Sequence, residues 1–330
     1  MLANGKLSSR PTALPFGPVQ SDLDAADRIF SATLAEYRHP IAPLVQHLKY
    51  YRGKRLRPAV LLLAAKACGG IRPAHHTLAA AVEMIHTATL VHDDVLDGAE
   101  VRRHVQTIHA GWGEKTAVLM GDMLFTHAFH LTSTVDGRAC ALIGEATNRV
   151  CAGELRQVRE RGNLNLTEAD YFAMIEGKTA ALTECCGRLG AEYAGATPAV
   201  ADRFARYGRN LGLAFQVADD LLDLTGDENA IGKTLGTDLA QQKLTLPLID
   251  CLNRLPSNEA EELRSHLRDA SEVEVDRILE AMTRTGSLVY AKKKAEDFAR
   301  KAKQELAGQP ASDCKNVLEL LADWSIRRSA

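Results

Sequence analysis

The chain has 330 residues, 46% of them hydrophobic, enough apolar material for a large buried core. Its 40 basic and 42 acidic side chains leave a net charge of −2, which excludes a global basic field for nucleic acid or an anionic membrane surface. No apolar run approaches the roughly 18 residues of a membrane span, so any anionic ligand must be caught locally in a soluble protein.

Residues 1–21 carry Lys6, Arg10, several Ser and Thr, three Pro and no acidic residue, a faint likeness to an organelle transit peptide. A flexible N-terminal tail over residues 1–20 is the plainer expectation, followed by one domain over 21–330. The seven cysteines, Cys68, Cys140, Cys151, Cys185, Cys186, Cys251 and Cys314, are odd in number and lack the paired spacing of zinc or redox motifs. That usage fits a reducing cytoplasm.

Seven of the 11 prolines lie at or before Pro73 and the next is Pro198, so 124 consecutive residues contain no strong helix breaker. Apolar residues recur at helical spacing through Leu78, Ala81, Ile85, Ala88 and Thr89, and again through Leu211, Leu213, Val217, Leu221 and Leu224. No sustained alternation marks a strand, so the predicted fold class is all-α. Helix starts are expected at Ser21-Asp22, Thr167 and Ser257, and stops near Gly69-Gly70, Asp136-Gly137, Gly162 and Pro198.

Near the end of the first apolar helix stands Asp93-Asp94-Val95-Leu96-Asp97. Asp93 and Asp97 share a face and repel each other unless a cation relieves them. Asp219-Asp220-Leu221-Leu222-Asp223 repeats the spacing 126 residues later, with Gln216 one turn before Asp219. One such cluster is as readily a solvated acidic patch, but two in apolar helices are not. Oxygen donors without His or Cys neighbours indicate Mg²⁺, which completes its coordination with water and substrate phosphates.

The basic residues are placed for such a ligand. Lys54, Arg55 and Arg57 precede the apolar run Ala59–Ala65, and Arg102-Arg103 follows the first aspartates by five residues. His86 lies two helical turns before Asp93. Taken singly, His86 reads as a core histidine, and Lys178, Lys233 and Lys243 read as solvated lysines.

Together, Gly53–Pro58, Asp93–Asp97, Arg102-Arg103, Lys178-Thr179, Phe215-Gln216, Asp219–Asp223, Gly232-Lys233 and Lys243–Pro247 resemble the trans-polyprenyl diphosphate synthase family. The likeness runs from about residue 22 to 330 in the family's order. It implies a single-domain helical bundle of the isoprenoid synthase type around a central cavity, usually a homodimer, with the aspartate motifs facing each other across the cavity mouth. By the same resemblance Asp93, Asp97 and Asp219 bind three Mg²⁺ ions, with Asp94, Asp220 and Asp223 as outer or water-mediated metal ligands. Arg102, Lys178, Thr179, Gln216, Lys233 and Lys243 would surround an allylic diphosphate (geranyl, farnesyl or geranylgeranyl). Lys54, Arg57, His86 and Arg103 would hold isopentenyl diphosphate. His104, Val105 and Gln106 depart from the family's usual glycine and proline after the arginines, as Thr234 does after Lys233. These changes remove no charged ligand and bear on loop geometry alone.

The expected chemistry is ionisation of the allylic diphosphate, condensation and proton elimination, with Asp93, Asp97, Arg102, Lys178 and Asp219 as the catalytic set. The growing chain would pass Thr89, Ala88, Ile85 and Ala81. None is aromatic, which within this family implies a long product of thirty carbons or more. Phe125 and Phe129 are candidates for a deeper floor. The competing readings are a class I terpene cyclase, against which Lys54, Arg57 and Arg103 speak, and a non-catalytic partner subunit, against which six retained aspartates speak.

Overall fold

The computed structural model describes residues 16–35, 37, 41–226, 236–268 and 275–327. In chain order its helices are α1 (Gln20–Leu34), α2 (Ala42–His47), α3 (Leu56–Cys68) and α4 (Pro73–Leu96). A two-stranded hairpin, β1 (Val101–Arg102) and β2 (Val105–Gln106), follows, then α5 (Ile108–Trp112), α6 (Glu114–Ser133), α7 (Gly137–Arg159), α8 (Glu168–Ile175) and α9 (Ala181–Tyr193). The remainder comprises α10 (Pro198–Thr225), α11 (Thr237–Ala240), α12 (Leu246–Arg254), α13 (Ser257–Arg268), α14 (Val275–Thr285), α15 (Ser287–Glu305) and α16 (Asp313–Arg327). The fold class is all-α, as the proline-free stretch and the helical spacing predict.

Local chemistry explains where the long helices begin. Pro73 and Pro198 occupy the first turns of α4 and α10, where a missing N–H costs nothing. Pro198 therefore opens a helix rather than closing one. Asp136 likewise opens α7, its carboxylate accepting the Ala139 N–H at 2.8 Å, and Thr167 caps α8 through the Asp170 N–H at 3.1 Å. The expected start at Ser21 falls inside α1, which begins at Gln20 without a side-chain cap. Phe16 and Val19, assigned to the tail from sequence, are buried in the core, so the ordered domain begins earlier than residue 21. Apolar burial outweighs the proline and hydroxyl-residue content that suggested a tail.

α4 packs between α1 and α6, α3 lies on α9, α9 on α10, and α10 on α15. Two apolar clusters result. One joins α1, α3, α4, α6, α7 and α9; the other joins α8, the second half of α10, and α12 to α15. α10 spans both, which carries the second aspartate motif to the same end of the bundle as the first. None of the seven cysteines forms a disulfide, and no helix among the described residues is long and apolar enough to cross a membrane.

Candidate active site

The two aspartate motifs lie on α4 and α10, whose apolar faces are locked in the core. Ala81, Ile85, Ala88 and Val91 anchor α4, and Leu213, Val217, Leu221 and Leu224 anchor α10. A cation joins the two halves: Lys243 places its Nζ 3.1 and 3.2 Å from the carboxylate oxygens of Asp97. Arg161, from just beyond α7, meets the same carboxylate. A cavity of about 100 Å³ opens here, lined by Lys178, Gln216, Asp220, Lys243, Arg161 and Tyr171 among others.

Neighbouring aspartates in a helix point about 100° apart, and the two motifs exploit that difference. The second aspartate of each triplet turns inward to a tyrosine. Asp94 is fully buried and accepts the Tyr51 hydroxyl at 2.7 Å, while Arg102 donates to it through Nε at 2.8 Å. Asp220 accepts the Tyr171 hydroxyl at 2.5 Å and the Gln216 amide at 2.8 Å. Burial pushes the Asp220 carboxyl up to about 8, with Asp238 and Asp219 adding to the rise. Asp223 turns the other way along the chain: its carboxylate accepts the Thr237 hydroxyl at 2.5 Å and the Asp238 N–H at 3.0 Å.

Asp93 is different. Among the described residues no donor pairs with its carboxylate, and burial pushes it up to about 6, with Glu154 and Asp97 adding to the rise against Lys178 and Arg102. Lys178 sits in a π-helical stretch, Glu176–Ala180, that widens the turn between α8 and α9, as such bulges do at functional sites. Its Nζ meets Glu154 of α7 at 2.6 Å. The next residue, Thr179, donates to Gln216 at 2.7 Å, so one chain of bonds runs Thr179, Gln216, Asp220, Tyr171.

A second group of cations gathers beside α4. Burial holds the His86 imidazole well below its ordinary range, and Arg57, Arg103 and Arg102 lower it further. The Nε of Arg57 is buried without a partner among the described residues. Arg103 and His104 form the tip of the β1–β2 hairpin, both with positive φ, and Arg103 donates to the Tyr51 carbonyl at 2.8 Å.

This constellation has known counterparts. Residues 39–283 match the polyprenyl synthetase family, nearly three quarters of the chain. The chain belongs to that family. It is 36% identical over 304 residues to octaprenyl diphosphate synthase of Escherichia coli, spanning 90% of this chain and 94% of that one. It is also 36% identical over 288 residues to a short chain isoprenyl diphosphate synthase of Methanothermobacter thermautotrophicus, 86% of this chain and 89% of the other. Its fold is similar to the crystal structure of polyprenyl synthase from Caulobacter crescentus complexed with calcium and isoprenyl diphosphate. The TM-score is 0.88 at 35% identity, covering 97% of this chain and all of that one. The enzyme is therefore a trans-prenyltransferase, a prenyl diphosphate synthase.

In this synthase most of the residues singled out from sequence come together. Asp93, Asp97, Lys178 and Arg102 act on one another; Lys178, Gln216 and Lys243 line the cavity, and Thr179 donates to Gln216. Asp219 lies on the adjoining turn of α10, partly exposed. Lys54 stands apart, exposed, with its ammonium 4.6 Å from the centre of the Trp324 ring of α16. Lys233 and Thr234 lie outside the described residues. Phe129 is exposed, and Phe125 packs against His92 with ring centres 5.8 Å apart.

Asp94, expected as an outer or water-mediated metal ligand, gives its oxygens to Tyr51 and Arg102 in the core. Asp223 is similarly engaged by the first turn of α11. Among the described residues no three His, Cys, Asp or Glu side chains converge as a ready metal cage. The residues missed from sequence are Tyr51, Tyr171, Glu154 and Arg161. Tyr171 stands two helical turns before Lys178, a spacing that could have exposed it; no motif marks the others.

Proposed function

We propose that this synthase condenses isopentenyl diphosphate with an allylic diphosphate and extends the product to thirty carbons or more. The observation that carries the reading is Asp93 in its setting: a half-buried carboxylate crowded by Glu154 and Asp97, without a hydrogen-bonding partner among the described residues, beside Lys178 and Arg102. An all-oxygen donor set so crowded fits Mg²⁺, which takes few protein ligands and keeps the rest for water and phosphate. Asp93, Asp97 and Asp219 would hold it, as three ions with substrate bound. Bound there, Mg²⁺ would neutralise the charge on the departing diphosphate.

The chain's own residues do the rest. Arg102, Lys178, Lys243 and Lys233 grip the allylic diphosphate, and Thr179 and Gln216, tied to each other, stand beside it. Arg57, His86 and Arg103 hold the second diphosphate, joined by Lys54 once it leaves Trp324. His86 stays neutral at working pH because burial and three guanidiniums oppose its charging, so it serves as a hydrogen-bonding group and not as an acid. The proton lost on forming the new double bond leaves with the released diphosphate.

Product length rests on the wall of α4. Equal identity to an octaprenyl and a short-chain relative leaves it open at the level of similarity. Thr89, Ala88, Ile85 and Ala81 present no aromatic floor, and the last three are deep in the bundle. We assign a homodimer as the working unit, with exposed Leu119 of α6 and Leu155 of α7 as apolar side chains a second copy would cover.

The test is incubation with Mg²⁺, labelled isopentenyl diphosphate and geranyl, farnesyl or geranylgeranyl diphosphate, followed by chain-length analysis. Products of thirty carbons or more support the whole reading. Products of fifteen or twenty carbons alone overturn the length and leave the reaction standing. No incorporation with any primer moves the chain to the partner-subunit reading.

A further inference from the structure

Tyr51 touches the supports of both arginines that follow the first aspartate motif. Its hydroxyl donates to Asp94 Oδ2 at 2.7 Å and accepts the Ile108 N–H at 3.0 Å. The other oxygen of Asp94 takes Arg102 through Nε at 2.8 Å and Nη2 at 2.7 Å. The main-chain carbonyl of Tyr51 accepts Arg103 Nη1 at 2.8 Å. Adjacent arginines are thus fixed by one residue through two separate routes, a side-chain route to Arg102 and a backbone route to Arg103.

The arginines need such outside support. They sit on a hairpin of two paired residues per strand, with Arg103 and His104 both at positive φ. The guanidinium of Arg103 also lies over Gly53, where a Cβ would come within 2.6 Å of Nη2. Asp94 uses only two of the five N–H groups of Arg102, leaving three to meet an anion. Tyr51 is itself seated by neighbouring structure: it is buried, and its hydroxyl is pinned to the first residue of α5. The network is closed, with a donor for each Asp94 oxygen and both capacities of the hydroxyl in use.

We propose that Tyr51 is a positioning residue that aims Arg102 and Arg103 independently, each at its own diphosphate. The proposal rests on the assignment of Arg102 to the allylic diphosphate and Arg103 to isopentenyl diphosphate given above. It separates the two routes sharply: Tyr51→Phe removes the hydroxyl route and keeps the ring and the carbonyl.

The experiment is steady-state kinetics of Tyr51→Phe, Arg102→Lys and the double variant, varying each substrate in turn, with thermal melts of all three. Tyr51→Phe should raise KM for the allylic diphosphate about three- to tenfold, the scale of one ordinary hydrogen bond acting at second hand through Asp94, and leave KM for isopentenyl diphosphate within about twofold. Added to Arg102→Lys, it should raise the allylic KM no further. Equal rises in both KM values, no change in either, or full additivity overturns the proposal. If wild type turns over but Arg102→Lys leaves the allylic KM alone, the assignment of Arg102 fails and the proposal falls with it. If Arg102→Lys raises that KM and Tyr51→Phe does not, the proposal alone fails. Should Tyr51→Phe not fold, Asp94→Asn reports on the same route and must give the same one-sided change.

Discussion

Lys243 and Asp97 are 146 residues apart in sequence, yet the lysine ammonium stands 3.1 and 3.2 Å from the two oxygens of the carboxylate. Arg161 shares that carboxylate, so Asp97 carries two cations at the mouth of the cleft. Lys243→Met keeps the stem and removes the charge while Arg161 continues to pair. The stability cost should stay near 1 kcal/mol or below, as for a pair that keeps a second partner. The allylic diphosphate should lose a charge-assisted contact, with KM rising about tenfold. Kinetics and a thermal melt check both: a large drop in Tm with unchanged KM would place Lys243 in the scaffold instead.

The contact between α9 and α10 sets the distance between Thr179 and Gln216, and it is made backbone to backbone. At Gly208 a Cβ would lie 2.2 Å from the Thr183 carbonyl oxygen. Alanine is the better helix former by about 1 kcal/mol. The clash is with backbone, which has no rotamer to change, so overpacking of roughly 1–3 kcal/mol should win. Gly208→Ala is expected to lower stability in a denaturant melt and to reduce kcat by pulling Gln216 from its 2.7 Å bond with Thr179. A variant as stable as wild type would show that the two helices can separate without cost.

Much of this was legible in the sequence for identifiable reasons. A proline-free stretch and helical apolar spacing fix the class of the fold, and repeated aspartate spacing in apolar helices marks the site. What sequence does not show is which carboxylate of each triplet turns inward. That depends on Tyr51 and Tyr171, 43 and 49 residues from their partners. The relief of Asp97 was expected from a metal, because no lysine stands one turn away; the structure supplies Arg161 and Lys243 from elsewhere in the chain. Lys54 was expected to converge with Arg57, but the ring of Trp324, 270 residues on, holds its ammonium. Such partners are set by tertiary packing and leave no local signature.

His75 supplies a test of stability against pH. Its Nδ1 accepts the Arg72 N–H at 2.8 Å and its Nε2 faces the Gly190 carbonyl at 3.2 Å, so the neutral ring uses both nitrogens. Burial lowers its pKa from the ordinary 6.5. The unfolded chain therefore binds a proton first as pH falls through about 6.5, and stability is lost below that value, not above it. His86 has the same sign, so wild type should lose Tm steadily between about pH 7 and pH 5. His75→Gln keeps an acceptor at the third position of α4 and cannot titrate. Its Tm should fall less over that interval, and an unchanged slope would mean His75 is not protonated differently in the two states.

The hairpin that carries the arginines contains a local conflict that can be removed. His104 has φ of +64° and follows Arg103 at +51°, the two central positions of a two-residue turn whose twist suits glycine. A left-handed conformation costs an L side chain about 1–2 kcal/mol, part of which glycine returns through its freer unfolded chain. His104→Gly should therefore raise stability by about 0.5–1 kcal/mol, read as a higher Tm. Arg103 keeps its bond to the Tyr51 carbonyl, so KM for isopentenyl diphosphate should not move. A higher Tm with unchanged KM means the histidine is tolerated strain. A lower Tm would show that the exposed imidazole contributes more to the turn than its backbone angle costs.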